Sequence, residues 1–142
     1  MKNRDTATII PTMRYADATA AIAFLEKAFG FERHLVVPGE KEGEVAHAQL
    51  CLGDAMIMLG SWRDDAFGRL QKLPRDVGGV VTQSPYVIVE DADAHHDRAV
   101  AAGAEVVTPL ESPDYGGRMY SCRDPEGHLW TFGTYDPWAP TS

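Results

Sequence analysis

Residues 9–31 read IIPTMRYADATAAIAFLEKAFGF, a short β-prone run followed by a segment with helical periodicity. Asp17 is a candidate N-cap, because its carboxylate can accept hydrogen bonds from the first backbone amides of a helix. Apolar residues then recur at helical spacing until Gly30, which can adopt the left-handed conformation that ends many helices. This stretch therefore predicts a strand that ends at Tyr15, followed by an amphipathic helix.

The same order of elements returns in residues 84–107, SPYVIVEDADAHHDRAVAAGAEVV. Here a strand ends near Val89, Asp91 is the candidate N-cap, and Gly103 ends an alanine-rich helix. The proline before the strand and the aspartate at the cap recur at matching positions in the two stretches, and the final glycines agree within one residue. The chain is therefore predicted to contain the same unit twice.

Three strand-like segments follow each predicted helix. They are residues 33–37, 44–52 and 55–59 in the first half, and 105–108, 118–123 and 128–133 in the second. In each half, a glycine-containing turn joins the last two segments. The expected fold class is α+β, with residues 1–142 as a single domain of two βαβββ modules, at about 7–60 and 82–135, joined by a long linker at 61–81.

Composition limits the possible partners. The chain has 142 residues, of which 44% are hydrophobic, enough for a domain with a buried core. Its formal net charge is -8, from 21 acidic residues against 13 lysines and arginines, and the basic residues are scattered. This charge repels nucleic-acid phosphates and anionic lipids, so neither a nucleic acid nor a membrane is an expected partner.

The sequence also predicts a cytoplasmic location. No apolar run approaches the roughly 18 residues of a transmembrane helix, and the N-terminus lacks the apolar core of a signal peptide. Cys51 and Cys122 have neither a CxxC spacing nor a histidine placed to complete a zinc site. Two reduced thiols are therefore expected rather than a disulfide scaffold.

The duplicated unit, with the turn DPEGH before its last strand, resembles the vicinal oxygen chelate superfamily of glyoxalase I, bleomycin and fosfomycin resistance proteins and extradiol dioxygenases. Four segments in this order carry the resemblance: IIPTMRYADATAAIAFLEKAFGF, HAQLCLGDAMIMLGS, PYVIVEDADAHHDRAVAAGAE and DYGGRMYSCRDPEGHLWTFGTY. The resemblance implies two cupped mixed sheets with helices packed outside. It also implies a ligand site between paired modules, within one chain or across a homodimer, and a homodimer is the expected assembly.

The resemblance further indicates where the metal enzymes of this superfamily carry their ligands, on the first and last strands of each module. In this chain those positions hold Ile10, Met58, Ser84 and Thr131. None is a His, Asp or Glu; a thioether suits the divalent ions of these enzymes poorly, and neutral hydroxyls bring no charge. A register slip of one residue would not restore a ligand, because the neighbouring residues are also non-ligands. We therefore expect no metal ion and no other cofactor.

Alternation along the strands assigns side chains to two faces. In residues 46–52 the even positions form an apolar row that suits packing against a helix, and the odd positions then face the cup. The same reasoning places Trp130 in the core and Thr131 toward the cup. On the first sheet, the side chains assigned to the cup are His47, Gln49, Cys51, Met56 and Met58.

These assignments predict a protein that binds an antibiotic-like, apolar or aromatic small molecule without a metal and without catalysis, as in the bleomycin-resistance branch. The resemblance also implies that the loop before β-prone residues 118–123 lies at the mouth of the cup, where Arg118 would receive an anionic group of the ligand and Tyr115 or Tyr120 would stack on a ring. The predicted ligand contacts are His47, Gln49, Met56, Met58, Trp62, Tyr86, Ile88, Tyr115, Arg118, Tyr120 and Thr131.

Other roles remain open for several of these residues. His47 is a minority candidate for a catalytic general base, against a hydrogen bond to a neighbouring group. Arg118 could instead pair with Asp114 or Glu111. Trp62 could anchor the linker instead of forming a wall for the ligand.

The alternative function is a metal-dependent lyase, isomerase or dioxygenase of the same superfamily with atypical ligands, such as His47 with Glu44 or Asp114. A third hypothesis is an interaction module whose cup is filled by side chains. His95 and His96 are adjacent on the second helix, about 100° apart around its axis. They are therefore not expected to chelate together, and both are expected to face solvent.

Overall fold

The computed structural model describes residues 7–140, which form eight strands and two helices in two βαβββ modules. The first module contains β1 (Thr12–Tyr15), α1 (Ala18–Phe24, continued by a π-helical turn at Leu25–Phe29), β2 (Glu32–Pro38), β3 (Val45–Leu52) and β4 (Ala55–Ser61). The second contains β5 (Tyr86–Ile88), α2 (Ala92–Ala101), β6 (Glu105–Glu111), β7 (Met119–Arg123) and β8 (Leu129–Gly133). Residues 1–6, part of the N-terminus for which no signal peptide is predicted, and residues 141–142 lie outside the described range.

Both helices have the caps that the sequence predicts. The Asp17 carboxylate accepts a hydrogen bond from the Ala20 amide at 3.0 Å, and the Asp91 carboxylate accepts one from the Ala94 amide at 3.0 Å. Gly30 follows the π-helical turn with φ of 87°, a left-handed conformation that favours glycine. Over residues 7–140, neither helix is long and apolar enough to cross a bilayer.

Each module forms one four-stranded mixed sheet. The strand orders are β1-β4-β3-β2 and β5-β8-β7-β6. In both sheets the first strand pairs in parallel with the last, and the remaining pairs are antiparallel. Thr12 lies opposite Met58 in the first sheet, and Tyr86 lies opposite Thr131 in the second. The two sheets thus share one topology, which confirms the predicted duplication and the α+β fold class.

One hydrophobic core joins the two modules. Buried side chains from both sheets and both helices form a single cluster. The ring centroid of Phe29, at the end of the π-helical turn, lies 5.3 Å from that of Trp130 and 4.6 Å from that of Phe132, both on β8. The helix-covered faces of both sheets contribute to this core, and the opposite face of each sheet is here called its cup face.

The DPEGH turn holds the modules together. The Glu126 carboxylate accepts hydrogen bonds from the Ala16 and Asp17 amides at 2.6 and 2.8 Å. The Nε2 atom of His128 lies 2.9 Å from the Arg14 carbonyl oxygen and donates to it. The motif that carries the family resemblance therefore has a structural role at the junction of the modules.

Candidate functional site

The first cup face carries a mixture of polar and apolar side chains. The residues that lie side by side on neighbouring strands across its centre are Thr12, Met58, Gln49 and Leu35. These side chains are half-buried or exposed, whereas Ala48 and Leu50, which alternate with them, are fully buried toward the helices. His47, Cys51 and Met56 lie on the same cup face, as strand alternation predicts.

The polar side chains of this face bond to one another. The Nε2 atom of His47 lies 2.9 Å from Oε1 of Gln49, and Nε2 of Gln49 lies 3.4 Å from Nδ1 of His34. Gln49 can therefore accept from one histidine and donate to the other. Neither Glu44 nor Asp114 bonds to His47, so within residues 7–140 no carboxylate orients it as a general base.

The second cup face presents hydroxyl groups. The residues that lie side by side on neighbouring strands across its centre are Tyr86, Thr131, Ser121 and Thr108. Thr131 Oγ1 lies 2.7 Å from Ser121 Oγ, and the Tyr86 hydroxyl donates to the Tyr135 carbonyl at 2.7 Å. Partial burial, with Tyr115 close by, raises the pKa of the Tyr86 phenol, which therefore remains a neutral donor.

A glycine makes room for a long side chain on each cup face. Gly60 of β4 and Gly133 of β8 occupy equivalent positions in the two sheets. A Cβ atom on Gly60 would lie 2.5 Å from Nη1 of Arg14, and one on Gly133 would lie 2.7 Å from the Tyr86 hydroxyl oxygen. The Arg14 guanidinium and the Tyr86 ring therefore lie against bare backbone.

The positions considered for metal ligands do not fit a divalent ion. Met58 and Thr131 lie on different cup faces, and Ile10 and Ser84 precede β1 and β5 and line one cleft of about 330 Å³. An alkyl group, a thioether and two neutral hydroxyls supply none of the charged or imidazole donors that such ions require. In residues 7–140, no three or more His, Cys, Asp or Glu residues are grouped so that they could hold a metal.

Tyr120 is a core residue, and the prediction that it contacts a ligand is wrong. It is 0% exposed, and its hydroxyl oxygen lies 2.6 Å from Nδ1 of His95. The register pairs Tyr120 with the buried Phe132, one position before the cup-facing pair of Ser121 and Thr131. Alternation counted from Thr131 across the β7–β8 hairpin predicts that Tyr120 lies on the core-facing side of the sheet.

His95 also differs from its prediction, because it is half-buried instead of facing solvent. Its Nε2 atom lies 3.2 Å from the Phe29 carbonyl oxygen. Ala92 and Ala99, three residues before and four residues after His95, are both buried, so His95 belongs to the core-facing stripe of α2. Burial lowers the pKa of His95, and the neighbouring Arg98 lowers it further, while the bond to the Phe29 carbonyl opposes the shift.

Arg118 pairs with Asp93, a carboxylate 25 residues away in the sequence. Its Nε atom lies 2.9 and 3.1 Å from the two carboxylate oxygens of Asp93 in α2, and Nη1 lies 3.2 Å from Oγ of Ser112. Asp114 and Glu111, the partners suggested by their nearness in sequence, do not bond to it. The side chain is therefore held toward the N-terminal turn of α2.

Trp62 and Tyr115 are held by neighbouring segments. The Trp62 indole donates to the Gly68 carbonyl at 2.9 Å, which supports its role as an anchor for the linker. Tyr115 is 64% exposed, and its ring meets that of Tyr135 edge-on at a centroid distance of 5.4 Å.

A cleft of about 640 Å³ opens between the β3–β4 turn and β5, and we call it the β5 cleft. Three of the predicted ligand contacts, Met56, Tyr86 and Ile88, come together there. Trp130 and Trp138 also line it. The predicted contacts on β3 lie elsewhere on the first cup face, so the structure assembles only part of the predicted set in one cavity.

The sequence matches the Glyoxalase/Bleomycin resistance protein/Dioxygenase superfamily over residues 10–132. It is 36% identical over 123 residues to an uncharacterized protein of Mycobacterium bovis, covering 87% of this chain and 80% of that protein. An uncharacterized protein of Mycobacterium tuberculosis has the same identity over 123 residues, covering 71% of its own length.

Solved structures agree with this match. TioX from Micromonospora sp. ML1 is 29% identical to this chain, with a TM-score of 0.69. The superposition covers 89% of this chain and 97% of TioX. A fosfomycin resistance protein, FosX from Listeria monocytogenes, solved with Mn(II) and 1S,2S-dihydroxypropylphosphonic acid, is 17% identical with a TM-score of 0.65 over 94% of each chain. FosX shares the fold alone. With the duplicated module and the match over residues 10–132, this chain belongs to the Glyoxalase/Bleomycin resistance protein/Dioxygenase superfamily.

Proposed function

We propose that this protein binds an apolar or aromatic, antibiotic-like small molecule without a metal ion, and that the β5 cleft holds it. The observation that carries this proposal is the cleft itself. Its volume of about 640 Å³ suits a small organic ligand, and Met56, Ile88 and the exposed indole ring of Trp138 supply apolar walls. Methionine side chains adapt to ligands of different shape.

The donors at the superfamily's metal-ligand positions support binding without a metal. A single alkyl group, one thioether and two hydroxyls give no charge to hold a divalent ion. The Tyr86 hydroxyl, oriented by the Tyr135 carbonyl, supplies a placed polar contact at the edge of the cleft. Binding of this kind would sequester a toxic or self-made compound in the cytoplasm.

Tryptophan fluorescence provides the test, because Trp130 and Trp138 line the β5 cleft. A panel of planar aromatic antibiotics is titrated into the wild-type protein and into two matched variants. Ile88→Asp places a charge in the cleft, and Val100→Asp places one on the outer side of α2 at nearly equal exposure, 44% against 45%. We expect Ile88→Asp to weaken binding by at least about tenfold, because it buries a carboxylate under the ligand.

The control variant should bind like the wild type. A panel that leaves the fluorescence of the wild type unchanged contradicts the proposal. Elemental analysis of protein purified without chelators gives a second test. Stoichiometric zinc, nickel, manganese or iron would favour the metal-dependent lyase, isomerase or dioxygenase instead.

We further propose that two copies form a homodimer that brings a first cup face against a second cup face. Each face exposes apolar side chains: Leu35 is 44% and Val37 40% exposed on the first, and Tyr86 is 38% exposed on the second. The accessible surface of the chain is 9169 Å², whereas a compact monomer of 15.6 kDa exposes roughly 7,200 Å² by the usual size scaling. This larger exposed surface favours an assembly in which part of it is buried.

Sedimentation velocity at micromolar concentration tests the assembly. The wild type should sediment as a dimer, and Val37→Asp should shift it toward the 15.6 kDa monomer by placing a charge in the interface. Val100→Asp serves again as the matched surface control. A monomer throughout the range from 1 to about 100 µM would refute the dimer.

A further inference from the structure

We infer that a second cleft, between β1 and the linker, binds a small organic anion, and that Arg14 receives its negative group. This linker cleft has a volume of about 520 Å³ and shares no lining residue with the β5 cleft. The residues of its lining that bear on a ligand are Arg14 of β1 and Leu70, Lys72 and Val80 of the linker.

The position of Arg14 suits an anion receptor. Register with Gly60 places Arg14 on the first cup face, and the guanidinium lies so close to Gly60 that no side chain would fit beneath it. Its Cζ atom lies 5.8 Å from the ring centroid of Phe67, within the range of a cation–π contact. The planar group is thus held between the strand and an aromatic ring, with its N–H edge available to take an oxyanion in a bidentate manner.

Arg14 differs from most other arginines of this acidic chain. Five arginines pair with a carboxylate: Arg33, Arg63, Arg69, Arg118 and Arg123. In the described residues, the Arg14 guanidinium has neither a hydrogen bond nor an ion pair. Arg14 is thus a half-buried cation without an anionic neighbour, in a chain of net charge -8. Such a cation gains more electrostatic stabilisation from a ligand anion than an arginine that is already paired.

The remainder of the linker cleft defines the rest of the ligand. Lys72 adds a second positive charge, and no Asp or Glu is among the described residues that line the cleft. The linker contributes apolar side chains that are largely exposed, with Leu70 at 80% and Val80 at 60%. The complementary ligand is therefore an amphiphile with a carboxylate, phosphate, phosphonate or sulfonate at one end and an apolar or aromatic body.

A pair of fluorescent dyes separates charge recognition from apolar binding. 8-Anilinonaphthalene-1-sulfonate carries a sulfonate, and N-phenyl-1-naphthylamine has the same rings without it. We expect the wild type to bind the sulfonate more tightly than the neutral dye. Arg14→Gln should weaken sulfonate binding about tenfold through the loss of a charge-assisted bond, and leave binding of the neutral dye within about twofold.

Two linker substitutions complete the design. Arg69→Gln removes a linker arginine that pairs with Asp64 and does not line the cleft, so it should bind both dyes like the wild type. Lys72→Gln changes an exposed residue and should weaken only the sulfonate, by about threefold. This variant also tests the site if an Arg14 variant does not fold, as judged by circular dichroism.

Three results would overturn the inference. The first is that the wild type, Arg14→Gln and Lys72→Gln all bind the sulfonate equally well. The second is that Arg14→Gln loses affinity for both dyes to the same extent. The third is that the wild type does not bind the sulfonate at all. Because the Ile88→Asp variant reports on the β5 cleft, a failure of the anion site can be distinguished from a failure of the proposed antibiotic-like site.

Discussion

The Tyr15 hydroxyl donates a hydrogen bond to Oδ2 of Asp124 at 2.6 Å, joining β1 of the first module to the turn before β8 of the second. The Trp130 indole donates to the same oxygen at 3.2 Å, and Asp124 is only 4% exposed. Burial, together with the adjacent Asp124 carboxylate, raises the pKa of Tyr15 well above its ordinary value. The phenol therefore remains a donor at neutral pH.

Tyr15→Phe should lower the free energy of unfolding by about 1–3 kcal/mol, because a buried carboxylate oxygen loses a donor. Urea unfolding, followed by circular dichroism, measures the change. Tyr135→Phe, at a residue that is 43% exposed, is the matched control and should change stability by less than about 0.5 kcal/mol. Equal effects of the two substitutions would show that the bond to Asp124 contributes little.

The stability of the protein should fall as the pH drops below about 6.5, the ordinary pKa of histidine. His95 has a lowered pKa in the folded state, so the unfolded state binds the proton first, and acid favours unfolding in this window. Urea midpoints at pH 7.5, 6.5 and 5.5 should therefore decrease in order, and His95→Gln should flatten that dependence. A slope that survives in His95→Gln would identify another group as the cause.

The two thiols should differ in reactivity. Cys122 is fully buried, and burial raises its pKa to about 12, whereas Cys51 is half-buried on the first cup face. Because thiolates are the reactive form, Ellman's reagent should label at most one cysteine in the folded protein and both after unfolding in guanidinium chloride. Cys51→Ser should then remove the folded-state reaction, and rapid labelling that persists in this variant would contradict the burial of Cys122.

Gly133→Ala should destabilise the protein by about 1–3 kcal/mol, because the added Cβ atom meets the side chain across β5. The closest atom is the Tyr86 hydroxyl oxygen, at 2.7 Å, and the Cβ atom of Met119 lies at 3.1 Å. Adding Tyr86→Phe removes the closest atom, so the double variant should recover part of the loss. Urea unfolding of the four proteins in this cycle measures the coupling, and strictly additive effects would exclude the clash with the hydroxyl.

Local signals in the sequence predicted much of this fold. Asp17 and Asp91 are the helix caps, and Gly30 ends the first helix, because these features depend on residues only three or four positions apart. Strand alternation placed Trp130 in the core and Thr131 on the cup face for the same reason, since successive side chains of a strand point to opposite sides.

Long-range pairing was beyond the reach of these signals. Arg118 binds Asp93, which is 25 residues away in sequence, and not the nearby acidic residues. His95 faces Phe29 and Tyr120 instead of solvent, because the core-facing stripe of an alanine-rich helix has weak hydrophobic contrast. No sequence pattern distinguishes Arg14, because only the register with Gly60 and the contact with Phe67 set it apart from the other arginines.

Patterns of neighbouring residues were sufficient to predict the two modules, their helix caps and most strand faces, with Tyr120 as an exception. These are properties of neighbouring residues and of their chemistry. The sharing of one core by the two modules, and the clefts beside β5 and beside the linker, follow instead from the tertiary structure. That outcome depends on how Phe29, Trp130 and Phe132 pack across the junction, and such packing is set by contacts between residues about 100 positions apart in the chain.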